Sequence, residues 1–222
     1  MRELNVAVTT HGRVLFDEAQ GGAPLNMLAG FHGYAQNADE MIALLRTIPA
    51  NPSWTRVSIQ GLHRFYRGRT QVTVASWMTR HDRELLVADN IAYVDAALAA
   101  VAAGRPIERL VMCGFSQGVA MAFRAGVLGA RTANAVLALG GDVPPELFAD
   151  PGIRFPRVLL ARGTRDEWYS DDKLRADRAQ LHARSCDVET LTFDGAHEWH
   201  TDFASAAAKA LHTVPGTRPP AL

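Results

Sequence analysis

Apolar residues along this chain fall into two alternating patterns. Short, nearly unbroken apolar runs occupy residues 25–33 (LNMLAGFHG), 54–61 (WTRVSIQG), 109–114 (RLVMCG), 134–141 (NAVLALGG), 156–163 (PRVLLARG) and 187–193 (DVETLTF). Runs of this length, mostly bounded by turn residues, predict strands buried on both faces. Between them the apolar residues recur at helical spacing. In residues 82–104, Leu85, Leu86, Ile91, Val94, Leu98 and Val101 share a face, and Gly104 with Pro106 ends the helix. Residues 117–128, 171–185 and 198–213 predict three more helices. Residues 4–19 predict a hairpin, with Val6 and Val8 alternating, a turn at His11-Gly12, and Val14 and Phe16 on the returning arm. Strand and helix alternate from about residue 25 to residue 213. That order predicts an α/β protein with a mostly parallel sheet, helices on both faces and the N-terminal hairpin as an antiparallel edge.

No Pro-, Gly- or Ser-rich linker interrupts the pattern, so residues 1–213 predict one domain and the Pro-rich residues 214–222 a frayed tail. The connection between the strands near Leu139 and Val158 is too short to hold a large lid. Residues 61–85 follow a central strand as a loop placed to overhang whatever site the sheet carries.

One junction carries chemistry. The strand ending in Gly114 runs through Phe115-Ser116-Gln117-Gly118 into a helix. G-x-S-x-G between a strand and a helix is the pattern of a nucleophile elbow, in which a tight turn projects the serine above the carboxyl ends of the strands. Small neighbours let the chain pass closely on either side. A serine hydroxyl is a weak nucleophile and needs a base oriented by an acid. Downstream, Asp166 stands in a loop after a strand and His197 in a Gly-marked loop after the last strand, in the chain order Ser, Asp, His. Asp142, which also follows a strand, is the alternative acid; Asp194 precedes the histidine loop's glycine. His200, one turn into the last helix, is the alternative base. The developing oxyanion needs two donors. The backbone N–H of Gln117 is one, and the loop after the strand at residues 25–33 supplies the other through Tyr34 N–H, beside Gly33. Asn37 or Asp39 caps the helix that follows.

Composition narrows the class of function. Lys+Arg and Asp+Glu both number 23, so no global charge favours nucleic acid or an anionic membrane. Only two cysteines are present, Cys113 and Cys186, which make no disulfide framework; Cys113 reads as an inert core thiol. The N-terminus lacks the pattern of a secretory signal, and no window reads as a membrane span, so a cytoplasmic location is expected. In His197-Glu198-Trp199-His200 the spacing that would put two histidines on one helix face is missing, because Thr201 stands there; no zinc site is expected. Cys113 lies three positions before the nucleophile slot, so a cysteine hydrolase is not expected either.

The stretches FHGYAQNADEM, CGFSQGVAMA, LGGDVP, RGTRDEWY and DGAH resemble the phospholipase/carboxylesterase family of α/β-hydrolases, which includes acyl-protein thioesterase-like enzymes and small carboxylesterases. The resemblance covers about residues 26–212. It implies an α/β-hydrolase fold without a large lid, and an ester hydrolase with Ser116 as nucleophile, Asp166 as acid, His197 as base, and the N–H groups of Tyr34 and Gln117 as oxyanion donors. It implies no cofactor and a small-molecule ester or thioester as the partner. Two positions depart from the family pattern. Ala35 replaces the second glycine of H-G-x-G, which changes the shape expected of the oxyanion loop. Arg162 replaces a histidine before Gly163, where little consequence is expected because that side chain need not touch substrate. Trp77 and Met78 are expected to wall an acyl pocket, with Trp168 beside the acid loop; Arg64, Arg67 and Arg69 are candidates for greeting an anionic group. A thioesterase or lysophospholipase would use the same machinery, and a non-catalytic binding protein of this fold would be expected to have lost one of the three residues.

Overall fold

The computed structural model describes residues 1–50 and 52–216. Its main sheet contains β1 (Val14–Asp17), β2 (Leu25–Phe31), β3 (Trp54–Ile59), β6 (Ile107–Phe115), β7 (Ala135–Leu139), β8 (Arg157–Gly163) and β9 (Val188–Phe193). They lie in the order β1-β3-β2-β6-β7-β8-β9. Every pairing is parallel except β1 with β3, which is antiparallel. The near-continuous apolar character of β2, β6, β7 and β8 follows from burial on both faces. On β6, Leu110 and Met112 enter one core, and Val111, Cys113 and Phe115 enter the other. Helices α2 (Arg83–Ala102), α3 (Gln117–Leu128) and α5 (Asp171–Ala183) cover the first face; α1 (Ala38–Arg46) and α6 (Thr201–Thr213) cover the second.

The expected antiparallel edge is present, but it is the returning arm alone. Val14–Asp17 pairs with β3, whereas residues 1–13 form no strand and Val6 and Val8 are exposed. With no neighbour to bury them, two alternating valines do not make a strand. Residues 61–85 contain an additional small hairpin, β4 (His63–Tyr66) with β5 (Thr73–Ser76). A short helix, α4 (Glu146–Ala149), fills the connection between β7 and β8. Asn37 caps α1 in a capping box with Glu40. Val214 is buried and the carbonyl of Pro215 accepts a hydrogen bond from Asn134; residues 217–222 of the expected tail lie outside the described residues.

Helix α2 is long and apolar enough to cross a membrane by length and composition, with a mean hydropathy of 1.6, contrary to the sequence expectation. Its Val94, Leu98 and Val101 pack into the core beside the sheet, and its end is set by Ala103 in a left-handed conformation. One face of it therefore packs on the core.

The topology selects one place for a site. From β2 the chain steps outward to β3, then returns across β2 to β6 and proceeds the other way. The crevice between the carboxyl ends of β2 and β6 is the point where winding reverses, the position where open α/β sheets bind ligands. Phe31 pairs with Gly114 there, so the loop after β2 and the turn after β6 emerge side by side.

Candidate active site

Strand β6 ends at Phe115 and helix α3 starts at Gln117, so Ser116 makes the turn alone. It does so at φ 54°, ψ −122°, backbone that costs an L-residue on the order of 1–3 kcal/mol. The flanking glycines explain why the turn is possible. A Cβ on Gly118 would sit 2.0 Å from the carbonyl oxygen of Phe31, and one on Gly114 would sit 2.5 Å from the Cα of Val119. Only glycine lets α3 rise that close to β2 and fold back over its own strand. The Ser116 N–H donates to the Leu139 carbonyl at 2.9 Å and holds the turn in place.

The Oγ of Ser116 lies 2.8 Å from Nε2 of His197, and Nδ1 of His197 lies 2.9 Å from Oδ2 of Asp166. Asp166 is buried, and its Oδ1 accepts the N–H groups of Trp168 and Tyr169, both at 2.9 Å. The carboxylate is acceptor-only, so the imidazole proton sits on Nδ1 and Nε2 is left to accept from the serine. Two further glycines make room. A Cβ on Gly140 would lie 3.0 Å from His197 Cε1 and 3.2 Å from Asp166 Oδ2, and one on Gly163 would lie 2.3 Å from the Ala196 carbonyl. The histidine loop therefore crosses directly over the end of β8. Phe115 stacks on the imidazole with ring centroids 5.2 Å apart.

The alternative residues are occupied elsewhere. Asp142 pairs with Lys173 at 3.2 Å, and Asp194 pairs with Arg165. His200 is the residue before α6, not one turn inside it; its Nδ1 accepts the Asp202 N–H and its ring stacks on Phe193 at 4.5 Å.

Arg162 was expected to matter little. It is 6% exposed and holds the Asp166 loop from beneath, donating Nε–H to the Tyr169 carbonyl at 2.7 Å and Nη2–H to the Asp166 carbonyl at 3.2 Å. The signal in the sequence was a charged residue closing an apolar strand next to glycine, where a buried guanidinium must find several acceptors. A second support starts from Asp177 on α5. Its Oδ2 accepts from the Tyr169 hydroxyl and the Val143 N–H, both at 3.0 Å, and burial raises its pKa above the usual carboxylate range.

The loop after β2 is fastened beside the serine. A Cβ on Gly33 would lie 3.2 Å from the Cβ of Ser116. The imidazole of His32 is fully buried, with Nε2 accepting the Gly61 N–H at 3.0 Å, so Nδ1 carries the proton and donates to the Gly33 carbonyl at 2.7 Å. Burial lowers the pKa of His32 below 6.5, which keeps it neutral. The unfolded chain takes up a proton at this residue below about pH 6.5 and the native state resists it. The stability His32 contributes is therefore whole above pH 6.5 and is lost as pH falls, at up to about 1.4 kcal/mol per pH unit. Urea unfolding at pH 7 and pH 5 is expected to show a steeper loss for the parent than for His32→Gln; equal slopes would remove His32 as the cause.

Ala35 occupies the position of the missing glycine at φ 59°, in the left-handed region, with its N–H on the Ala75 carbonyl at 3.1 Å. The loop has kept the glycine-like backbone without the glycine. Ala35→Gly is expected to leave stability unchanged or raise it by up to about 1 kcal/mol, as relief of the left-handed strain offsets added chain entropy. Ala35→Val is expected to cost more than about 1 kcal/mol, because a β-branched residue resists that φ. Denaturant midpoints of the two variants check this. Among the described residues, the N–H groups of Tyr34 and Gln117 meet no hydrogen-bond acceptor, unlike those of Gly33 and Ala35. The Gln117 side chain instead ties the far wall to α3: its Oε1 accepts the Trp77 N–H at 3.0 Å and its Nε2 donates to the Met78 carbonyl at 3.0 Å.

A cavity of about 490 Å³ opens from Ser116, with Met78, Gln117, Ala120, Gly140, Val143 and Trp168 among its lining residues. Met78 and Trp168 both line it, with Trp168 exposed at the lip. Trp77 does not. It is fully buried behind the wall against Phe31 and His32, with its indole N–H on the His32 carbonyl at 2.9 Å. Alternation along this segment turns only one of two adjacent residues toward the cavity. Arg64 and Arg67 are also not part of the lining: Arg64 donates to the His11 carbonyl, and Arg67 to the Ala35 carbonyl and Glu40.

No protein-family model matches the chain, and no curated protein is similar to it in sequence. Solved structures are similar. They include esterase PE8, with 24% identity and a TM-score of 0.71 over 91% of this chain and 98% of that one. The Bacillus cereus carboxylesterase shows 15% identity and a TM-score of 0.72 over 91% and 94%. Acyl-protein thioesterase 2 of Zea mays shows 17% identity and a TM-score of 0.67 over 91% and 98%. At these identities the likeness is one of fold: the chain has the α/β-hydrolase fold, with its sheet order, antiparallel edge and helical layers.

Proposed function

We propose that this chain is a serine hydrolase of the phospholipase/carboxylesterase family that cleaves small carboxylic esters through an acyl-enzyme. The observation that carries the reading is the line of hydrogen bonds from Ser116 through His197 to Asp166, built on strained backbone at the end of β6. In this reading Ser116 Oγ attacks the ester carbonyl while its proton passes to Nε2 of His197. Asp166 stabilises the imidazolium that forms. The negative charge that develops on the carbonyl oxygen is met by the N–H groups of Tyr34 and Gln117, which need no reorganisation to receive it. The imidazolium returns its proton to the departing alkoxide, and water repeats the sequence on the acyl-enzyme. No cofactor enters. The same steps would cleave a thioester or a lysophospholipid, and the thioesterase among the similar structures keeps that leaving group in view. A cytoplasmic location belongs to this reading, and the two unpaired buried thiols are compatible with it.

Labelling with a fluorophosphonate, followed by a 4-nitrophenyl ester series of increasing acyl length and matching thioesters, tests the proposal. Covalent labelling with turnover of short esters is expected. A folded protein that neither labels nor turns over any ester or thioester would overturn it.

A further inference from the structure

The wall of the cavity beside Ser116 is not that of a plain hydrocarbon pocket. Four cationic side chains line it, Arg80, Arg83, Arg124 and Lys173, against one carboxylate, Asp142. Lys173 is engaged by Asp142 at 3.2 Å and by the Trp168 carbonyl at 2.8 Å. Arg124, on α3, is 1% exposed, and its Nε and Nη2 both share a single oxygen of Glu146, at 2.8 and 2.5 Å. Arg83, at the start of α2, approaches the other oxygen of Glu146 only at 3.5 Å. One half-exposed carboxylate therefore serves two guanidiniums, and Arg80 adds a third, exposed one.

Two donor groups have only a weak protein acceptor. Nη1 of Arg83 and Nη1 of Arg124, from different helices, each lie 3.5 Å from the same atom, the Sδ of Met78 on the cavity wall. A thioether is a weak acceptor; Arg83 is half-exposed, but the Arg124 guanidinium is buried, and a buried guanidinium is costly unless its donors are met by good acceptors. An alkyl chain entering here would do nothing for them. A carboxylate would: guanidinium donors and carboxylate oxygens match in charge and in planar geometry. Arg124 also lies on the helix that Ser116 begins, about 12 Å further along its axis. Ala120, one turn from each on the same helix, also lines the cavity, so the α3 face between Ser116 and Arg124 carries a small side chain.

From this we infer that the site selects short esters whose non-reacting end carries a carboxylate, with Arg83 and Arg124 as the specificity-determining residues. The inference rests on the esterase reading above and adds the class of substrate to it.

The test compares isosteric pairs that differ only in charge, with released acid titrated at constant pH. Monoethyl glutarate against ethyl 5-methylhexanoate places the charge on the acyl side. 3-Acetoxypropanoate against 3-methylbutyl acetate places it on the alcohol side. Wild-type protein is expected to favour the carboxylate member of at least one pair at least tenfold in kcat/KM, with the preference shrinking as salt is added; the pair that shows it identifies the side. Arg83→Met and the double variant Arg124→Met/Glu146→Gln, which leaves no lone buried charge, are each expected to reduce the preference about tenfold. Equal or better turnover of the neutral member in both pairs would overturn the inference, as would a preference that survives both variants. If neutral esters are cleaved and fluorophosphonate labels the protein while no carboxylate preference exists, this inference fails alone. If no ester is cleaved and no label is taken up, the hydrolase reading fails and this one falls with it.

Discussion

Ser116→Ala is expected to lower kcat on short esters by on the order of 10⁴ to 10⁶ and to abolish fluorophosphonate labelling. The expectation rests on geometry that no other hydroxyl in the site reproduces. Ser116 Oγ is within 2.8 Å of the one imidazole nitrogen left free to accept a proton, and the turn that carries it is braced by glycines on both sides. The neighbouring Ser76 hydroxyl is committed to the Met78 carbonyl at 3.0 Å and to the Gln117 amide. Labelling that persists in Ser116→Ala would remove Ser116 as the nucleophile. A companion variant separates function from folding. Ser116→Gly should be equally inactive yet should melt no lower than the parent, because glycine accepts φ 54° without the penalty that serine carries. Strain retained at a position where its removal would not harm the fold is strain kept for chemistry.

Asp166→Asn is expected to lower kcat by on the order of 10⁴ with the fold intact. Its Oδ1 is held by two backbone N–H groups, so the asparagine oxygen settles there and its amide nitrogen turns toward His197. Nδ1 must then accept rather than donate, the ring proton moves to Nε2, and the base facing Ser116 is lost. Asp142→Asn is expected to cost far less. Asp142 is exposed, its partner is Lys173 at the surface, and it makes no contact with His197. Both variants assayed on one ester, with circular dichroism to verify folding, decide the matter. A crippled Asp142→Asn beside a near-normal Asp166→Asn would reassign the acid.

Much of this architecture was legible because its signals are local or repetitive. Apolar runs in β2, β6, β7 and β8 announce burial on both faces, and that burial occurs in a parallel sheet covered by helices. The pattern failed where burial depends on a neighbour. Residues 4–10 alternate like a strand, but β1 remains the outermost strand and they do not pair with its free edge. Apolar α2 has the composition of a membrane span, and only the tertiary structure shows one of its faces packed into the core. His200 looked like an internal helix residue because capping by an imidazole leaves little trace in sequence.

At the candidate site the division follows the same physical line. Residue type and order determined which chemistry was available: a serine between glycines after a strand, then an aspartate, then a histidine, each in a loop at a strand end. Those signals are local because tight turns and close backbone approach restrict the residues allowed. Tertiary structure alone decided which groups meet. It turned Trp77 inward while Met78 reached the cavity, and it placed Arg162 under the Asp166 loop. It also spent Arg64 and Arg67 on backbone carbonyls while bringing Arg83 and Arg124 to the cavity wall from separate helices. Arg83 and Arg124 lie far apart along the chain, and their proximity arises from the packing of α2 against α3. No sequence pattern encodes that meeting, because it depends on two helices laid over one sheet rather than on any local run of residues.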